Sequence, residues 1–96
     1  MTTQIYEQNG PTKSRIDVTH NADGSVTVSG CDWGSGPESF YGRDELNYDL
    51  RIPANAVPGA ITALLRALLA TTGTPMTTLR AAFEADQVEH NFRILP

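Results

Sequence analysis

Cys31, His20 and Asp17 are the residue types of a nucleophile, its base and the group that orients the base. A thiol becomes nucleophilic when a helix N-terminus or neighbouring cations lower its pKa. Cys31 instead closes the strand-like run "SVTVSGC" and is followed by an acid, Asp32. It therefore reads as a small, partly buried strand residue. A metal site would need imidazoles, thiolates or carboxylates at ligand spacing. His20 and His90 are the only histidines, and no carboxylate accompanies either at such a spacing. Asp32, Glu38, Asp44 and Glu45 could form an acid/base pair of the glycosidase kind, but one member would have to be desolvated. Their Gly, Ser and Pro neighbours point to a solvated loop. The glycine-rich "GSGPESFYG" matches neither dinucleotide nor P-loop spacing, carries no Lys, and leads towards a strand instead of a helix N-terminus. The sequence thus predicts no catalytic residue, no metal and no cofactor.

Recognition remains. In "CDWGSGPESFYGRDELNYDL", residues 31–50, five acids face one Arg, a net charge of −4. The whole chain of 96 residues also sums to −4, so the rest is neutral. Trp33, Phe40 and Tyr41 lie in the same stretch, and large aromatics are the usual anchors of protein interfaces. The predicted partner-binding set is Asp32, Trp33, Glu38, Tyr41, Asp44, Glu45 and Asp49, with acids steering a basic partner towards the aromatics. Trp33 and Phe40 have a competing role as plugs of the domain's open end. The acidic balance argues against direct nucleic-acid binding, which needs a Lys/Arg footprint.

These residues have to be positioned by regular elements. "QIYE" is a short strand candidate, ended by the Asn9-Gly10-Pro11 turn. "SRIDVTHN" alternates, with Ile16, Val18 and His20 on one face; Asp23-Gly24 then predicts a hairpin through a type I′ turn. "SVTVSGC" and "ELNYDLRIP" continue the alternation, and the acidic stretch between them reads as the long connection of the two strands. From Val57, apolar residues at 61, 64, 65, 68 and 69 form a helical stripe, with Asn55 as cap, Pro58 in the first turn and Gly73 as left-handed terminator. "TPMTTLRAAFEADQ" predicts a second helix, capped by Thr74 with Pro75 first, and an Arg80–Glu84 pair on its outer side. His90, Phe92 and Ile94 alternate in a closing strand. The fold class expected is α+β: a two-layer sandwich in the order β-β-β-β-α-α-β, an antiparallel sheet of four to five strands against two helices.

Length and composition suit one folded domain over 1–96. No apolar run approaches the roughly 20 residues of a membrane span, and "MTTQIYEQNG" lacks the pattern of a signal peptide. A single cysteine excludes an internal disulfide. A cytoplasmic protein without membrane association is expected, monomeric or a weak homodimer.

Asp23-Gly24-Ser25, Gly30, Asp32, Gly34, Phe40-Tyr41-Gly42, Tyr48 and the leucines at 64, 65, 68 and 69 together form a pattern. It resembles a family of small bacterial α+β proteins common in actinobacteria, to which no activity is attached. In size and charge the chain is also similar to small acidic inhibitors such as anti-CRISPR proteins of phages and mobile elements, and to toxin-immunity proteins. That resemblance implies a non-enzymatic inhibitor of a larger effector with a basic surface, its acidic patch mimicking nucleic acid. The alternatives are a toxin-immunity protein, or a small ligand-binding or enzyme domain using residues 32–49 as a pocket.

Overall fold

A computed structural model describes residues 1–34 and 45–95. The chain gathers into two compact units, Met1–Ala60 and Ile61–Pro96. In the first, four strands pair antiparallel in chain order: β1 (Thr2–Gln8), β2 (Thr12–His20), β3 (Val26–Gly34) and β4 (Glu45–Ile52). A 3₁₀ turn, Ala54–Ala56, leads into helix α1 (Val57–Leu69), and α2 (Pro75–Ala85) follows in the second unit. The class is α+β with strands before helices, as the periodicities require. No helix among the described residues is long and apolar enough to cross a membrane.

Register gives the sheet two unlike faces. Ile16 stands opposite Gly30, Val18 opposite Val28 and His20 opposite Val26, and β4 adds Tyr48, Leu50 and Ile52 in the same rows. A bulge at Ile5 shifts the phase of β1, so that Tyr6 joins this apolar face opposite Ile16. The inner strands β2 and β3 hold its half-buried residues, while the edge strands β1 and β4 are mostly exposed. Gly30 lets the Tyr48 ring lie flat on β3, because a Cβ at position 30 would overlap it. The Tyr48 hydroxyl donates to Asp32 Oδ1 at 3.2 Å, completing a Gly30–Tyr48–Asp32 cluster on the apolar face.

The β2–β3 hairpin differs from a type I′ turn. Gly24 has φ +86°, whereas Asp23 stays out of the left-handed region. Gly24 N–H donates to the Asn21 carbonyl at 3.0 Å and Asn21 N–H to the Ser25 carbonyl at 2.9 Å, closing a three-residue loop over Ala22–Gly24. The Asp23 side chain explains the choice: its Oδ1 accepts from Ser25 N–H at 2.8 Å and from Ser25 Oγ at 2.5 Å. Asn21 Nδ2 donates to Ser25 Oγ at 3.0 Å and to Thr27 Oγ1 at 2.9 Å. Ser25, only 1% exposed, is therefore fully bonded.

The helix ends also depart from expectation. Asn55 lies inside the 3₁₀ turn, so Pro53 takes the cap position there, while Pro58 does fall in the first turn of α1. Helix α1 ends at Leu69 through hydrogen bonds of Ala70 and Thr72, and Gly73 does not adopt positive φ. Thr74 and Pro75 open α2 as expected, although the Thr74 side chain makes no capping bond. The predicted closing strand does not form: residues 88–95 contain no strand. Gln87, at φ +56°, terminates α2 by a Schellman motif, with Val88 N–H donating to Phe83 O (2.8 Å) and Gln87 N–H to Glu84 O (3.2 Å). This reverses the chain onto its own helix. His90 meets Phe83 at 5.4 Å between ring centroids, and Arg80 lies over the Phe92 ring at 4.3 Å. The alternation of His90 and Phe92 thus serves a helix surface, and Arg80 stacks on Phe92 without forming the expected ion pair with Glu84.

Candidate functional site

The opposite, polar face of the sheet collects the groups with chemical potential. Alternation places Arg15 and Asp17 of β2, Ser29, Cys31 and Trp33 of β3, and Glu45, Asn47 and Asp49 of β4 on it. The rows read Arg15–Cys31–Asn47, Asp17–Ser29–Asp49 and Lys13–Trp33–Glu45. Two open grooves that share Arg15 and Cys31 lie here. One groove of about 550 Å³ is lined by Arg15, Asp17, Ser29, Cys31, Asn47 and Asp49. A second, of about 490 Å³, lies between Arg15, Cys31, Trp33 and Glu45, and both are open to solvent.

Local bonds set the electrostatics. Arg15 Nε donates to Asp17 Oδ1 at 3.3 Å and lies 3.2 Å from Oδ2, a surface ion pair within the strand. Cys31 Sγ donates to Glu45 Oε1 at 3.6 Å, and Asn47 Nδ2 donates to the same oxygen at 3.4 Å. Burial chiefly, then the hydrogen bond to Glu45 and the negative charges of Glu45 and Asp32, push the Cys31 thiol above its ordinary pKa. The thiol is thus held protonated, opposite to the state a nucleophile requires. Among the described residues, no group of three His, Cys, Asp or Glu side chains is placed to hold a metal ion. Trp33 stands directly opposite Glu45 and, on its other side, directly opposite Lys13, so the indole is flanked by a carboxylate and an ammonium position.

The structure sorts the predicted partner-binding residues. Trp33, Glu45 and Asp49 share the polar face, while Asp32 is on the apolar face bonded to Tyr48. Glu38, Tyr41 and Asp44, with Phe40, lie outside the described residues. Strand β3 runs on to Gly34, three residues beyond its expected end at Cys31, while β4 begins at Glu45, where "ELNYDLRIP" places it. Arg15, Asp17, Cys31 and Asn47 belong to the site and were missed as a group. Their signal was available: placing Ile16 and Val18 on one face with Val26 and Val28 requires an odd hairpin loop, which sets Arg15 opposite Cys31. Comparison with protein-family models, with curated proteins and with solved structures finds no match, so the site is interpreted from its own geometry.

Proposed function

We propose that the chain is a non-enzymatic binding protein that docks on, and inhibits, a larger protein effector with a basic surface. The observation that carries this reading is the juxtaposition of Trp33 and Glu45 across β3 and β4, with Asp49 on the same face and an open groove beside them. A Lys or Arg of the partner inserted there would stack on the indole and meet the carboxylate, a contact worth about 1–2 kcal/mol when desolvated. The excess acid of residues 31–50 would steer that encounter. An effector that handles nucleic acid offers such a basic surface, which is the anti-CRISPR-like form of the proposal; toxin immunity is the same physics with a different partner.

Affinity capture from a host lysate, with stepwise salt elution, tests the proposal. The wild-type chain should retain a basic protein that elutes as salt rises. Trp33→Ala and the double reversal Glu45→Lys with Asp49→Lys should each abolish retention. Capture unchanged in both variants would sink the reading.

A further inference from the structure

The two edges of the sheet are built differently. β1 is broken at Ile5 by a bulge, a device that hinders edge-to-edge pairing. β4 pairs regularly with β3 from Glu45 to Ile52 and contains no bulge, proline or lysine. Among the described residues no strand pairs with its outer side. Its Tyr48 is 38% and its Leu50 60% exposed. A regular, partly apolar edge of this kind is a template for one more strand.

We propose that β4 is a homodimer interface, in which the β4 strands of two copies pair antiparallel about a two-fold axis at Tyr48. The two four-stranded sheets then become one continuous sheet.

The side chains of β4 suit a second copy in this register better than in the two adjacent ones. Antiparallel neighbours that face each other must share a sheet face, so the axis falls on a residue and not between two. An axis at Tyr48 sets Glu45 opposite Arg51, Leu46 opposite Leu50 and Asn47 opposite Asp49, each twice by symmetry. Glu45 and Arg51 then meet their opposites, Asp49 meets the amide of Asn47, and both leucines meet leucines. Moving the axis to Asn47 opposes Glu45 with Asp49, and moving it to Asp49 opposes two carboxylates at the axis itself. Arg51 already touches Asp23 at 3.0 Å, but both side chains are more than half exposed, so that pair yields readily to a second carboxylate. A two-fold axis normal to the sheet keeps both polar faces on one side.

Sedimentation velocity of the purified full chain over a dilution series tests this without any foreign partner. Wild type should form a dimer that dissociates on dilution. Glu45→Arg and Arg51→Glu should each weaken it roughly tenfold, because symmetry converts two attractive pairs into two repulsive ones. The combined swap, Glu45→Arg with Arg51→Glu, should restore wild-type affinity. Circular dichroism checks that each variant folds, and a cysteine scan needs no charge change. In a Cys31→Ser background, Tyr48→Cys should cross-link two copies, since residues facing across the axis lie about 5 Å apart at Cα. Leu50→Cys should not. A chain that stays monomeric at every concentration overturns the proposal, as does a dimer indifferent to the charge reversals, a cross-link through Leu50→Cys alone, or a monomer whose β4 takes a strand only from another protein.

Discussion

Ser25→Ala should loosen the β2–β3 hairpin and change how the protein responds to acid. The Ser25 hydroxyl is buried, donates to Asp23 Oδ1 at 2.5 Å and accepts from Asn21 Nδ2 at 3.0 Å. Two hydrogen bonds at about 1 kcal/mol each put the loss near 2 kcal/mol. It is not larger, because Asn21 Nδ2 keeps Thr27 Oγ1 at 2.9 Å and Ser25 N–H keeps Asp23 at 2.8 Å. For a domain of this size that lowers the melting temperature by about 10 °C. The acid response follows from Asp23, whose pKa is held below the usual 3.8 chiefly by the Ser25 hydroxyl, then by Ser25 N–H and the charge of Arg51. A carboxylate with a depressed folded-state pKa stabilises fully above its unfolded value of about 4 and stops doing so as pH falls through the folded value. Wild type should therefore lose stability below about pH 4, and Ser25→Ala should show a shallower fall over the same range. Thermal melts followed by circular dichroism from pH 2 to 7 measure both effects. A variant melting within about 2 °C of wild type at neutral pH, or one with an unchanged acid slope, would refute the reasoning.

Gly30→Ala should displace the Tyr48 ring and cost about 1 kcal/mol by urea denaturation, with little further loss when Tyr48→Ala is added. The Tyr48 phenol, raised by burial and then by the charge and hydrogen bond of Asp32, should titrate at lower pH in Asp32→Asn, read by ultraviolet difference absorbance. Glu45→Gln should shift the pH-rate profile of Cys31 towards lower pH in labelling by a disulfide reagent, because it removes an anion and a thiol acceptor. Gln87→Gly should stabilise the second unit by about 1 kcal/mol, since Gln87 alone among the described non-glycine residues holds positive φ.

Strand and helix identity was legible because it rests on local periodicity. Ile16, Val18 and His20, or Leu46, Tyr48 and Leu50, declare a strand wherever the chain goes. Thr74-Pro75 likewise declares a helix start from backbone chemistry alone. The closing segment was misread because alternation reveals a shared face and not what that face meets. His90 and Phe92 do share one, and α2 takes it once Gln87 reverses the chain.

Local pattern suffices for the α+β class, the two-faced strands and the concentration of acid in residues 31–50. Which of those residues stand together depends on strand register. With a two-residue loop at Asp23-Gly24, the hairpin register would shift by one and Arg15 would oppose Asp32. The Asp23–Ser25 bonds make the loop three residues long, so Arg15 opposes Cys31 and Trp33 opposes Glu45. Asp32 and Trp33 serve opposite faces by alternation, and the register decides which: Asp32 braces Tyr48 over Gly30, and Trp33 walls the groove. A strand's period of two turns a single residue of register into a change of face, and that register is set by side-chain bonds no composition reveals.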